Sequence, residues 1–309
     1  MVAVFFKASV EFTIPGMRSK LFVPGSRPEL FEKALASAAD SLSFDLEDAV
    51  AEPRKDEARG LLRDFLVGDA ARGHAKTVIV RVNAMDTPHY AQDIAEVVRE
   101  GVHLINLPKP ASPQHVVQAA QAIADAARAN GVANVPGLLL NMETPQSLRM
   151  GAELAKAHAS VKGLQLGLGD LFEPYGIHRR ELSAITQALF AVRMAAAEAD
   201  VFAYDGAFAN IKDMDGFRAE CELSRRMGFL GKTCIHPSQI AIANEVFQPS
   251  QKEIDDALAV VEAASHADQH AVGAYVVDGK MIDVAFLPGA ERTLRLAKAC
   301  GLYEGELIV

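Results

Sequence analysis

The sequence predicts an α/β protein: a (β/α)8 TIM barrel followed by a C-terminal helix–hairpin–helix lid. Three observations carry this. Short apolar runs alternate with longer stretches of helical period, the signature of strand–helix repetition and a parallel sheet. Eight such units are complete by about residue 248, and eight closes a barrel where an open doubly wound sheet needs five or six. No G-x-G-x-x-G or G-x-x-x-x-G-K-[ST] pattern follows any strand, which disfavours an open nucleotide-binding sheet.

In chain order the expected strands are Lys20–Pro24, Ser41–Asp45, Thr77–Asn83, His103–Pro108, Gly137–Met142, Gly163–Leu168, Val201–Tyr204 and Gly231–Ile235. Several are nearly continuous in Leu, Ile and Val, as strands buried on both faces should be. Helical segments fall at Arg54–Leu66, Pro113–Asn130, Gln146–His158 and Arg179–Ala199. The Ala-rich run from Val117 to Ala129 has high helix propensity. Residues 1–16 read as a short extension, 17–248 as the barrel and 249–309 as a lid region. In that tail a helix is expected from Lys252 to about His270 and another from Ala290 to Cys300. Between them Ala274-Tyr-Val-Val, Asp278-Gly279 and Lys280-Met-Ile-Asp283 spell a hairpin, because a tight type I′ turn needs positive φ at both central residues. The tail must cover its own barrel mouth or reach a neighbouring subunit, and the second implies a homo-oligomer.

Half of the 309 residues are hydrophobic, and the net charge is −9 with no basic stripe. Nucleic acid and anionic membranes are therefore poor partners, and an anionic substrate would have to be met by a local cluster of Arg, Lys or metal. Three widely spaced cysteines, Cys221, Cys234 and Cys300, form no CxxC or Cys/His pattern, which argues against zinc and a disulfide framework and fits a reducing cytoplasm. No apolar run is long enough to span a bilayer, and the N-terminus lacks the features of a signal peptide.

Barrel active sites lie at the C-terminal strand ends. Nearly every expected strand ends in a charged or hydrogen-bonding residue: Asp45 with Glu47 and Asp48, Arg81 with Asn83, Lys109, Glu143, Asp170, Asp205, and Lys232 with His236. Five acids converging on one mouth (Glu47, Asp48, Glu143, Asp170, Asp205) need a cation, and an oxygen-only set points to Mg2+, with Mn2+ a substitute. Arg81 and Lys109 supply positive charge for a substrate carboxylate. Each residue also has a plainer reading. Glu143 and Asp170 could cap helices, Arg81 could pair with Asp45 or Glu47, His236 could belong to a turn, and Asp205-Gly206 could be only a turn. Two acids ending consecutive strands favour the ligand reading for Glu143 and Asp170.

These residues sit in motifs: R-S-K-L-F-V-P-G at Arg18–Gly25, D-L-E-D-A-V at Asp45–Val50, V-R-V-N at Val80–Asn83 and N-M-E-T-P at Asn141–Pro145. L-G-L-G-D-L follows at Leu166–Leu171, then G-K-T-C-I-H-P-S-Q-I at Gly231–Ile240 and G-K-M-I-D at Gly279–Asp283. In this order they resemble the HpcH/HpaI aldolase/citrate lyase β-subunit superfamily, its CitE-like acyl-CoA lyase branch. The resemblance implies a carbon–carbon lyase acting on a malyl-CoA-like or citramalyl-CoA-like thioester and yielding a 2-oxo acid and a shorter acyl-CoA. It implies Mg2+ held by Glu143 and Asp170, a carboxylate gripped by Arg81, waters held by Glu47 and Asp48, and orientation from the backbone at Gly169 and Asp170. It places the coenzyme A portion near the first-strand segment that Arg18 opens and near His236. Asp283 is implied as the acid–base catalyst, brought by the tail of an adjacent subunit in a homotrimer or homohexamer. Shorter citrate lyase β subunits are expected to lack this tail, so its presence argues for a free acyl-CoA substrate. Thioester hydrolysis or a malate synthase-like outcome, and citrate lyase action on a citryl-acyl-carrier protein, are the alternatives. The stretch Phe172–Arg179 departs from familiar members and is expected to shape the acid-fragment pocket.

Overall fold

The computed structural model describes residues 16–71, 73–269, 274–277 and 279–305. Most of the N-terminal extension and Asp278 of the hairpin turn lie outside the described residues. Two compact units result, Met1–Val246 and Phe247–Val309.

In the first unit eight parallel strands close a barrel in chain order. They are β1 (Ser19–Pro24), β2 (Ser41–Asp45), β3 (Thr77–Arg81), β4 (Leu104–Leu107), β5 (Gly137–Met142), β6 (Val161–Leu166), β7 (Phe202–Ala207) and β8 (Lys232–Cys234). β2 and β5 have the expected limits. β6 starts earlier and stops at Leu166, because Leu168–Phe172 winds into a helical turn. β7 runs on through Asp205 to Ala207.

The helices form where sequence signals start them. Pro113–Ala129 opens on Ser112, whose hydroxyl accepts from the His115 amide, with proline in the first turn. Its buried face is Val116, Ala119, Ala120, Ile123 and Ala127, the spacing of an amphipathic helix. The single helix expected over Gln146–His158 is two, Pro145–Arg149 and Gly151–Lys156, broken at Met150. The break brings Gly151 against the helix Leu182–Glu198, where a Cβ would lie 2.9 Å from that of Ala195.

Strand alternation sends every second side chain into the barrel. Met17, Ile79, Leu104, Leu139 and Tyr204 pack as one apolar cluster. Two residues beyond Leu104, Asn106 replaces hydrocarbon with an amide, as Gln165 does on β6, and Lys20 joins them from β1. The fully buried Lys20 amine donates to Gln165 Oε1 and lies over the rings of Tyr204 (4.7 Å) and Phe22 (5.2 Å). Burial, then the nearby Arg81 charge, pulls its pKa well below the ordinary lysine value. A polar layer thus underlies the mouth.

The second unit has its own small core, Ile254, Ala257 and Val261 against Ala290, Leu294 and Ala297. These lie on the helices Gln251–Gln269 and Leu287–Ala299, the latter beginning earlier than expected. The antiparallel pair β9 (Ala274–Val277) and β10 (Lys280–Asp283) is the hairpin read from the sequence, with Gly279 at φ +76°. Among the described residues no helix is long and apolar enough to cross a membrane.

Candidate active site

At the C-terminal ends of β2 to β6 one charged cluster forms around Arg81. Arg81 ends β3 beside Asp45, its register partner on β2. Asp45 grips the guanidinium through two bonds of 2.7 Å, to Nε and Nη2. Arg81 Nη1 lies 2.8 Å from Glu47 Oε2, an ion pair set off the donor axis, and 3.5 Å from Asp48 Oδ2. The guanidinium stacks over Phe22, 5.1 Å from the ring centre. Burial works against its charge, but Asp45, Glu47 and Asp48 outweigh it and hold Arg81 protonated. Asp45 is fully buried and also accepts the amides of Glu47 and Ala49, which sets the turn carrying Glu47 and Asp48.

Lys109 ties this group to the expected metal pair. Its backbone is left-handed, at φ +47°, between Pro108 and Pro110, a conformation that costs a non-glycine residue of order 1 kcal/mol or more. This conformation turns the Lys109 amide onto Glu143 Oε1 at 3.0 Å. The ammonium lies 3.2 Å from both Glu47 Oε1 and Asp170 Oδ1. Burial opposes the Lys109 charge, but Glu47, Glu143 and Asp170 raise its pKa overall.

Glu143 follows β5 and is buried; its second oxygen accepts from Asn141 Nδ2 at 3.2 Å. Thr144 and Ser147 form a capping box, so the helix behind Glu143 is capped without its carboxylate. Burial, then Glu47 and Asp170, push the Glu143 carboxyl up to about 8 against the pull of Arg81 and Lys109. Burial also raises Glu47. Gly167 leaves the space that Glu143 fills: a Cβ there would lie 2.6 Å from Glu143 Cβ and 2.8 Å from its Oε2.

A hard divalent cation fits these residues. Glu143 and Glu47 are buried carboxyls that a bound cation would keep ionised, and Asn141 Oδ1 is a buried acceptor without a donor beside Glu143. Among the described residues no three His, Cys, Asp or Glu are grouped as a complete ligand cage. Two carboxylates with the remaining positions left to water and substrate is how Mg2+ is usually held.

Three expectations, those on Arg18, Asp205 and Lys232, need correction, whereas His236, Gly169 and Asp283 are placed without being contradicted. Arg18 is at the other end of the barrel: it precedes β1 and binds Asp40, ahead of β2, through its amide at 2.9 Å and guanidinium at 2.8 and 2.9 Å. Asp205 does not join the acids. It follows the inward Tyr204, so alternation turns it outward, where Lys232 binds it at 2.6 Å and Glu220 at 3.2 Å holds the same amine. Lys232 is thereby removed from the mouth too. His236 is exposed and forms a turn with Ser238 (2.8 Å), apart from the cluster. Gly169 is exposed in the first turn of Leu168–Phe172, and a Cβ there would meet nothing, so the fold itself does not require glycine. Asp283 belongs to the second unit, where its Oδ1 caps the turn Val284–Phe286 through the Ala285 amide (2.9 Å).

Sequence reasoning missed three supports. Phe22 lies under Arg81, Asn141 holds Glu143, and Lys55 donates to the carbonyls of Leu46 and Glu47 and to Asn83 Oδ1, at 3.0, 3.0 and 2.6 Å. The signal for Asn141 was an amide inside an otherwise apolar strand. Lys55 carried none.

The HpcH/HpaI aldolase/citrate lyase family model matches residues 18–237. The (3S)-malyl-CoA thioesterase of Cereibacter sphaeroides is 40% identical over 93% of this chain and 96% of its own length. Citrate lyase subunit beta of Leuconostoc mesenteroides is 32% identical over 94% and 96%. The crystal structure of CitE from Mycobacterium tuberculosis in complex with magnesium, acetoacetate and coenzyme A superposes with a TM-score of 0.71 at 29% identity, covering 92% of this chain and 98% of that one. The Leuconostoc alignment leaves fewer residues outside it than the tail contains, so the tail does not distinguish this chain from citrate lyase β subunits as expected. Fold, family model and full-length relatives agree: the chain belongs to the HpcH/HpaI aldolase/citrate lyase family of enzymes.

Proposed function

We propose that this protein is a Mg2+-dependent lyase that cleaves or forms the C2–C3 bond of a malyl-CoA-like or citramalyl-CoA-like 3-hydroxyacyl thioester. The carrying observation is the joining of Arg81, Glu143, Asp170 and Lys109 in one cluster at the barrel mouth. The relatives that act on malyl-CoA, and the CitE that binds magnesium and coenzyme A, support the substrate class. Glu143 and Asp170 would hold the cation, with Mn2+ able to replace Mg2+. Bound there, it supplies Lewis-acid polarisation of the acid fragment's oxygen.

The remaining work falls to the chain. Arginine has five N–H donors; here Asp45 takes two and Asp48 a third, while Glu47 is paired by charge alone. The two left over lie on the outer edge of the guanidinium and suit a substrate carboxylate. Asp45 and Glu47 fix that edge so that the C2–C3 bond is oriented. As the bond breaks, the C3 hydroxyl gives up its proton to the water that Glu47 and Asp48 order, and the electron pair passes to the thioester's α-carbon, which needs a proton; Asp283 is assigned that proton in a homotrimer or homohexamer. Glu47 and Asp48 order water beside the cation, and the first-turn backbone at Gly169 and Asp170 orients the acid.

Incubation of malyl-CoA or citramalyl-CoA with protein and Mg2+ should release glyoxylate or pyruvate with acetyl-CoA. No product from either, with metal bound, overturns the proposal. The identity to the malyl-CoA thioesterase favours a second reading, hydrolysis of the same thioester to free malate and coenzyme A. Product analysis separates the two. Asp283→Ala should lower turnover at least 100-fold with metal binding intact; wild-type turnover removes Asp283 from the mechanism.

A further inference from the structure

The Lys109 ammonium stands where the acid cluster most needs a cation. It bridges Glu47 Oε1 and Asp170 Oδ1 at 3.2 Å each. Two features make this a mobile charge on a fixed base. Residues Pro108 and Pro110 confine the backbone on both sides, and the left-handed conformation pins the Lys109 amide to Glu143. Beyond that anchor the side chain is a flexible four-carbon stem, about one third exposed. The carboxylates differ in what else holds them. Glu47 keeps Arg81 and Glu143 keeps Asn141, whereas among the described residues Lys109 is the cation paired with Asp170, whose side chain is 42% exposed.

We propose that Lys109 is a built-in counter-ion that competes with the divalent cation for Asp170. Without the metal, its ammonium lowers the repulsion among Glu47, Glu143 and Asp170 and keeps the mouth assembled. When a divalent cation binds, the ammonium leaves Asp170 Oδ1 and stays with Glu47, facing the space a substrate carboxylate would enter. The exchange needs no backbone movement, because the amide bond to Glu143 is made by the anchor and not by the arm. Metal loading therefore does two things at once: it fills the acid pair and frees a positive charge for substrate.

This inference rests on the assignment of Glu143 and Asp170 as metal ligands. Its signature is opposite to that of an ordinary supporting residue, because removing the charge should improve metal binding. Lys109→Met, and Lys109→Gln in case the first does not fold, are compared with wild type by calorimetric titration with Mn2+ and by thermal melts with and without Mg2+. Both variants should bind Mn2+ about five- to tenfold more tightly, since an exposed ion pair and its field on the acids are removed. Their metal-free melting temperature should fall, and Mg2+ should raise it by more than in wild type. Equal or weaker Mn2+ binding by a folded variant, beside a wild type that binds, overturns the counter-ion role alone. If wild type, both variants and Asp170→Asn all fail to bind Mn2+, the metal assignment falls, and the inference falls with it.

Discussion

At the scale of single residues, Arg81 holds the most information. Its partners Asp45 and Glu47 fix all but the outer edge of the guanidinium, so the geometry of the fork matters as much as the charge. Arg81→Lys should keep the charge, leave Asp45 half-satisfied and lower kcat/KM with malyl-CoA by at least about 100-fold, the order seen when one preorganised donor is lost. Steady-state kinetics on the folded variant test this, and near-normal kcat/KM would refute the carboxylate role. Arg81, Glu47, Glu143 and Asp170 were legible because each ends a strand or follows one closely. Arg18 was not, because a motif that starts a strand contains both of its ends, and Arg18 belongs to the wrong one. Lys109 was half legible. Its place on the rim follows from the pattern, but the turn of its amide onto Glu143 depends on a backbone angle that no residue type announces.

At the scale of elements, the pairing of β3 and β4 carries a titratable joint. The His103 amide donates to Val78 O (2.9 Å), and the Val78 amide donates to His103 Nδ1 (3.0 Å). Burial, then His74, lowers the pKa of His103, and protonating Nδ1 would remove the acceptor Val78 uses. A folded-state pKa below the unfolded value of 6.5 makes this contribution complete above pH 6.5 and progressively lost as pH falls through the folded pKa. Urea unfolding should show stability dropping below pH 6.5, with a shallow slope because His103 is solvent-exposed and screened. His103→Asn should be flatter over that range, and an unchanged slope would remove His103 as the cause. Element type was read well from periodicity, because buried parallel strands and Ala-rich helices advertise themselves. The errors came where packing overrode the pattern. The helix after Glu143 breaks at Met150 to let Gly151 approach Ala195, and β7 continues past Tyr204, which turns Asp205 to the outside.

At the scale of the whole chain, the two units have separate cores, and the proposed metal ligands Glu143 and Asp170 belong with Arg81 to the first. Ending the chain after Val246 should therefore leave a barrel that folds and still binds Mn2+, while removing Asp283 abolishes turnover. Circular dichroism and Mn2+ titration of the shortened chain test this; loss of the folded state would show that the second unit is needed for the barrel itself.

The ring of strands also has an unequal circumference. β8 is three residues long and meets β1 through Ser19, Lys20 and Leu21 alone, and Gly231 passes so close to the backbone of Met17 and Arg18 that a Cβ would fall 1.9 Å from the Met17 carbonyl oxygen. The first and last strands are thus stitched by a short joint, and β1 is the strand that carries both Phe22 beneath Arg81 and the buried Lys20. Whatever loosens that stitch shifts the floor under Arg81, so a slip at the seam far below the mouth is felt as a change of aim at the top.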